Sequence, residues 1–328
     1  MSAVASHADR SVLVTGGQGF IGSWLVERLL EEGARVLVPQ RPAPERSRFR
    51  LLGLESRCEA MSLDLLDFAS LLRVLDEHEV DAVFHLAAHT VVGEADRSPL
   101  PAFETNIRGT YNLLEACRMA RAKNADRHVV IASSAHVYGK QGGLPCPETS
   151  PLRPVGPYDV SKACVDMIAR CYAVTHDMPV AVTRMSNVYG GGDLNFSRLV
   201  PASAQALVAG DAPVIHSDGT PERDYLYVED AVDAYLAVEG SLRERDLWGR
   251  AWNAGGDTPI AAGEVVRTLI EAAGTDTEPE IEGHGESSDG VDSRWVDSAE
   301  IRTLLGWEPR WPLEDALQKT YAWYAEGL

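Results

Sequence analysis

The amino-acid sequence predicts an α/β fold, a doubly wound parallel sheet with a smaller C-terminal α/β domain. Two observations lead there. Residues Val12 to Gly22, VLVTGGQGFIG, are a short apolar run that enters a glycine-rich turn and then an amphipathic segment, Ile21 to Leu30; that is a strand, a loop and a helix in succession. Further apolar runs of strand length follow along the chain, separated by segments whose apolar residues fall at helical spacing. With 328 residues and 45% hydrophobic content, the chain can fill a sizeable core.

The glycines of the first turn have separate tasks. Gly16 lets the chain leave the strand, Gly19 lets the backbone approach a diphosphate, and Gly22 lets the helix pack closely on the strand. Phe20 and Ile21 open the helix, whose unpaired N–H groups and macrodipole favour an anion. An ordinary tight turn without ligand is the alternative, but the strand before and the helix after supply the context that a phosphate loop of Rossmann type needs.

Composition narrows the partners. Forty-nine acidic against 30 basic residues give a net charge of −19, which disfavours nucleic acid or an anionic membrane surface. A small anion is still admissible where arginines gather in one cleft. Five cysteines without a CxxC pair argue for reduced thiols rather than a disulfide framework or a metal site, and no metal is expected. The first ten residues lack the apolar core of a signal peptide and no run approaches the ~18 apolar residues of a membrane span. The expectation is a cytoplasmic protein.

Taken in order, Gly33 ends the first helix and Arg35–Val38 form a second strand. An acidic residue at the end of such a strand would hold a dinucleotide's ribose, whereas an arginine would accept a 2′-phosphate. The sequence has Pro39, Gln40 and Arg41 there, so Gln40 is a candidate for the ribose, and Arg41, Arg46 or Arg48 for a phosphate, against the alternative of a solvated loop. Cys58–Ser62 is a short third strand followed by Asp64 and Leu65, and Val80–Ala88 a fourth ending in Leu86, Ala87 and Ala88, small enough for a cofactor to lie on the backbone. His85 is read as orienting that turn, and His89 faces either cofactor or solvent. Pro101–Met119 and Tyr158–Thr175 have helical spacing, and between them Val129–Ala132 is a buried strand ending in Ser133 and Ser134.

The chemical centre is Tyr158-Asp159-Val160-Ser161-Lys162. Four residues apart on a helix, Tyr158 and Lys162 share a face. Hydride transfer from a carbinol needs a group to take the hydroxyl proton, and a tyrosine does so near neutrality when a nearby cation lowers its pKa from about 10. Lys162 offers that charge and Ser134 a hydrogen bond to the same oxygen. By itself the five-residue pattern is weak; its place after the glycine loop and after SSAHVYG gives it meaning.

Together, TGGQGFIG, HLAA, Asn106 with GTYNLLEAC, SSAHVYG, PYDVSK, SNVYG and RDYLYVED resemble the nucleotide-sugar epimerase and dehydratase branch of the extended short-chain dehydrogenases/reductases, over nearly the whole chain. The resemblance implies an NAD(P)-binding domain over 1–186 and a nucleotide-sugar-binding domain over 187–328, with about 225–242 packing back on the first. It implies NAD as cofactor, with NADP as the alternative; Asp64 on the adenine; and a homodimer built from the two long helices. It also implies that Tyr158, Lys162 and Ser134 oxidise C4 of the sugar to a ketone that is later reduced. Asn187, Arg198 and Arg223 would bind the diphosphate and nucleotide, and His216 would stack on the base. The family's later Arg-Pro segment is missing around Ser287 and Ser288, where Arg294 either replaces it or is a surface residue.

Within that branch, 4,6-dehydratases carry an acidic pair, or Asp-Lys, after the Ser or Thr that corresponds to Ser134, whereas this chain has Ala135 and His136. The substitution favours a 4-epimerase. The alternative is a 4,6-dehydratase or another C5-active enzyme using His136, whose unperturbed pKa near 6.5 suits acid–base work, and other stretches look closer to the CDP-glucose and GDP-mannose dehydratases.

Overall fold

Ser11–Thr15 is buried along its whole length, and its alternating side chains serve two cores: Val12 and Val14 face one, Leu13 the other. The computed structural model describes residues 7–41, 46–120, 127–256, 258–283 and 293–326. Its strands are β1 (Ser11–Thr15), β2 (Arg35–Pro39), β3 (Glu59–Met61), β4 (Ala82–His85), β5 (His128–Ala132), β6 (Val180–Met185), β7 (Asn187–Tyr189), β8 (Val214–Ile215), β9 (Glu222–Tyr227), β10 (Ala251–Ala254), β11 (Pro259–Ala261) and β12 (Glu280–Ile281).

Among the described residues, seven strands form one parallel sheet in the order β10-β6-β5-β4-β1-β2-β3. The order reverses between β1 and β4, which opens a crevice at the carboxyl ends of these strands, where doubly wound sheets bind ligands. The helices Phe20–Glu31 and Val228–Ser241 cover one face through Leu25, Leu29, Ala231 and Tyr235. The helices Phe68–Glu77, Gly109–Met119 and Pro157–His176 cover the other through Leu71, Leu113, Val165 and Ala169. A second lobe holds the sheet β11-β9-β7, the pair β12-β8 and the helices Leu199–Ala209, Ala262–Ala273 and Leu313–Ala325 around a third core with Leu207, Val266, Leu269 and Leu317.

Beyond the return expected at about 225–242, β10 also crosses the division at residue 186. After β6 the chain returns to the large sheet twice, as the helix Val228–Ser241 and as β10, whose Ala251–Ala254 pair with Val182–Met185. Strand edges also shift from expectation. The third strand is Glu59–Met61, and the fourth ends at His85 because Leu86–Ala88 peel away to meet the glycine turn. The helix expected over 101–119 is interrupted: Pro99–Ala102 is followed by a π-helical turn, Phe103–Arg108, before Gly109–Met119 resumes. That wide turn turns Asn106 inward, where it is buried.

At the amino ends of the strands a buried carboxylate ties three segments together. Glu239 accepts hydrogen bonds from His128 at 2.6 Å and His7 at 3.2 Å, and pairs with Arg10 at 2.7 Å. Among the described residues, no helix is long and apolar enough to cross a membrane.

Candidate active site

The glycine turn is built as its composition requires. Gly16 has φ +76°, and a Cβ there would lie 2.7 Å from the Ala87 nitrogen; a Cβ on Gly22 would lie 2.1 Å from the Gly16 carbonyl oxygen. Gly19 caps the helix Phe20–Glu31 with no side-chain hydrogen bond, and no acidic residue stands in its first turn. The N–H groups of Phe20, Ile21 and Gly22 are therefore left for an external acceptor. This uncapped, glycine-lined cradle fits the diphosphate of a dinucleotide.

His85 holds the turn in place. Thr110 donates its hydroxyl proton to the Asn106 carbonyl at 2.5 Å, so the His85 Nε2–H must be the donor to Thr110 Oγ1 at 2.9 Å. Thr15 then donates to His85 Nδ1 at 2.7 Å and accepts from the Ala87 N–H at 3.3 Å. This chain needs a neutral ring, and burial, assisted by the Lys162 charge, pushes His85 down to about 3. Asn106 continues the network, accepting from the His89 N–H at 2.7 Å and donating to the His89 carbonyl at 3.2 Å and to Ser161 Oγ at 2.8 Å. His89, half-buried, turns its Nε2 to Glu94 at 3.3 Å.

Beyond the turn, Gln40 donates to Glu55 at 2.9 Å and the Arg41 N–H to Gln18 at 2.8 Å, and both side chains are exposed. Arg46 is exposed too, but Arg48 is buried against the Trp24 ring, 3.6 Å from its centre, and paired with Glu27. Arg48 is thus withdrawn from the role of phosphate ligand, because its guanidinium is consumed by packing. Asp64 accepts from the Leu66 N–H at 3.0 Å, and Leu65 is buried beneath Gly109. Leu86, Ala87 and Ala88 are half-buried beside Gly16.

At the carboxyl end of β5, Ser134 hydrogen-bonds the Tyr158 side chain and accepts from the His136 N–H at 3.2 Å. The helix Pro157–His176 presents Tyr158 and Lys162 to it. Lys162 is buried with its ammonium 2.8 Å from the Ala132 carbonyl, and burial lowers it to about 8. The tyrosine differs from expectation: burial raises its pKa, against the lowering influence of Arg198 and the Ser134 hydrogen bond. The cation that the fold brings into electrostatic reach from the second lobe is Arg198, which also pairs with Asp193 at 3.0 Å. His136, 28% exposed, stands edge-on to the Tyr158 ring with centroids 5.9 Å apart, and its Nδ1 donates to Asp159 Oδ1 at 3.0 Å. Asp159 and Glu55 are the residues that sequence reasoning missed. Asp159 follows Tyr158 directly, but its partner is 23 positions away, and only the packing of the Ser134–Tyr138 turn on the helix joins them.

Arg223 and Arg294 lie side by side across a parallel bridge, and the Arg294 N–H donates to the Glu222 carbonyl at 3.1 Å. Arg294 is 4% exposed, which removes the surface-residue alternative. Neighbouring Asp224 is pushed up by burial to about 7. Asn187 lies on β7, in register with Tyr225. His216 stands apart, 78% exposed and 2.6 Å from Glu282. Ser287 and Ser288 lie outside the described residues. Among the described residues no three His, Cys, Asp or Glu side chains gather to hold a metal.

Comparison with known proteins places this geometry. The family model for GDP-mannose 4,6 dehydratase matches residues 13–320. The dTDP-glucose 4,6-dehydratase of Neisseria meningitidis is 33% identical, over 97% of this chain and 94% of that protein. The UDP-glucose 4-epimerase of Thermotoga maritima, solved with UDP-glucose, superposes with a TM-score of 0.85 at 28% identity, covering 96% of this chain and 99% of that one. The dTDP-glucose 4,6-dehydratase of Streptomyces venezuelae, solved with NAD bound, gives a TM-score of 0.83 at 28% identity, with 96% and 97% covered. With its seven-stranded sheet, glycine turn and paired Tyr158 and Lys162, the chain belongs to the GDP-mannose 4,6-dehydratase family within the extended short-chain dehydrogenases/reductases, and is an enzyme of the epimerase and dehydratase kind.

Proposed function

We propose that the protein is a nucleotide-sugar 4-epimerase that works through a transient 4-keto sugar and holds NAD. The observation that carries this reading is the segment after Ser134. Ala135 is buried and has no group to give or take a proton, and no acidic residue occurs in Ala135–Tyr138. Elimination across C5 and C6 needs an acid for the leaving hydroxyl and a base for the C5 proton. Epimerisation needs only room for the ketone to present its other face.

In this reading Gly16, Gly19, Phe20, Ile21 and Gly22 hold the cofactor diphosphate, Gln40 and Arg41 the adenosine ribose, and Asp64 and Leu65 the adenine. Leu86, Ala87 and Ala88 would line the cofactor site, and Tyr158 and Lys162 would hold its nicotinamide end. Glu55 beside Gln40 supports NAD over NADP, since a carboxylate repels a 2′-phosphate. A bound nicotinamide would supply the hydride acceptor and donor for C4. Tyr158 takes the C4 hydroxyl proton, Ser134 hydrogen-bonds that oxygen, and Arg198 supplies positive charge that favours the phenolate. His136 hydrogen-bonds the sugar. Asn187, Arg198, Arg223 and Arg294 bind the nucleotide diphosphate, where arginine forks match phosphate oxygens, and His216 lies on the base. The protein works as a homodimer.

A second reading, 4,6-dehydration, is favoured by one observation: the His136–Asp159 pair beside Tyr158 offers acid–base capacity that epimerisation at C4 does not require. Proton NMR in deuterated water, on the protein with UDP-, dTDP-, CDP- and GDP-sugars and no added cofactor, separates them. Inversion at C4 without deuterium uptake is expected; a new C6 methyl signal with deuterium at C5 would sink the epimerase and pass the acid–base role to His136.

A further inference from the structure

His136 is held at three points, one on its backbone and two on its ring. Ser134 Oγ accepts its backbone N–H at 3.2 Å, Tyr158 packs on its edge at 5.9 Å, and buried Asp159 accepts from Nδ1 at 3.0 Å. Asp159 is the third residue of the helix Pro157–His176, whose cap, Gly156, has no side chain to offer, so its carboxylate sits where the helix macrodipole favours negative charge. Facing successive directions from one helical turn, Tyr158 and Asp159 fix the reacting phenol and the neighbouring imidazole as one unit. With Nδ1 committed, Nε2 is the nitrogen left without a protein partner among the described residues, and the side chain keeps part of its surface open.

We propose that Asp159 is a positioning residue for the sugar chemistry. By accepting Nδ1–H it holds His136 in the tautomer whose Nε2 is unprotonated, so that Nε2 accepts a hydrogen bond or a proton from the substrate while the ring braces Tyr158. A base oriented by a third group is a recurring arrangement for proton transfer. The inference rests on the assignment of His136 to the site but not on which carbon reacts: in an epimerase Nε2 accepts a hydrogen bond from a sugar hydroxyl, and in a dehydratase it takes a proton.

The test uses the full chain labelled with nitrogen-15 histidine, at about pH 8 where imidazoles are neutral, with His136→Gln to identify the His136 resonances. The wild type is expected to show Nδ1 protonated and Nε2 bare. Asp159→Asn, whose amide can donate to Nδ1, is expected to reverse that tautomer and to lower kcat about tenfold or more, with KM changed less than about twofold. Asp159→Glu is expected to restore part of kcat. A bare Nδ1 in the wild type overturns the proposal without reference to any variant, and so does an Asp159→Asn protein in which the tautomer is reversed while kcat stays at the wild-type value. The nature of the sugar product bears on the epimerase reading alone, so the two can fail separately.

Discussion

The buried ammonium of Lys162 carries a cost in stability. Its ammonium is buried on one carbonyl, and burial lowers its pKa from 10.5 to about 8. The unfolded chain therefore binds the extra proton between those values, so the penalty on the folded state is complete below about pH 8 and fades as pH rises towards 10.5. Lys162→Met is expected to stabilise the protein by about 1–3 kcal/mol at pH 7, less above pH 10, while abolishing turnover. Urea unfolding at the two pH values checks it; equal stability of variant and wild type would contradict it. Tyr158, Lys162 and Ser134 were legible in the sequence because a helical i, i+4 pair and a strand end are local features. Asp159 was not, because its partner reaches it only through tertiary packing. The withdrawal of Arg48 onto Trp24 was hidden for the same reason.

At the scale of elements, the first strand, turn and helix were readable because steric need dictates glycine where the backbone comes closest. Gly22→Ala would drive a Cβ to 2.1 Å from the Gly16 carbonyl. We expect it to cost about 3 kcal/mol or more and to remove nicotinamide from the purified protein, as thermal unfolding and cofactor absorbance would report. The helix Val228–Ser241 was anticipated to pack back, but its anchor was not, since Glu239 gains its partners from His7 and His128, far away in the chain. Burial opposes ionisation of Glu239, yet hydrogen bonds from His128 and His7 hold it well below the usual carboxylate range; its stabilisation is present above about pH 4.5 and lost as pH falls. His7 is raised by Glu239 and Glu32 against its desolvation, so its contribution is complete below 6.5 and declines as pH climbs past its raised value. The cluster is thus strongest between about pH 4.5 and 6.5. Glu239→Ala is expected to cost about 3–5 kcal/mol there, because Arg10 loses its carboxylate and the buried His128 Nδ1 its acceptor; a loss below 1 kcal/mol in urea titration would refute the role.

For the whole molecule, the doubly wound parallel sheet followed from periodicity and the glycine turn, whereas the return of β10 to the large sheet did not, because a four-residue strand has no signal of which sheet it joins. Met167 and Val174, seven residues apart on the helix Pro157–His176, are 54% and 79% exposed, and Tyr111 and Met119 are exposed on the helix Gly109–Met119. The homodimer reading predicts that light scattering gives twice the chain mass and that Met167→Glu with Val174→Glu yields a folded monomer. A wild-type monomer at micromolar concentration would count against it. The central claim, that hydride leaves C4 and comes back to C4, is tested most directly with nucleotide sugars deuterated at C4. The account predicts a C4-inverted product that retains its deuterium at C4; deuterium found in a C6 methyl group would contradict it.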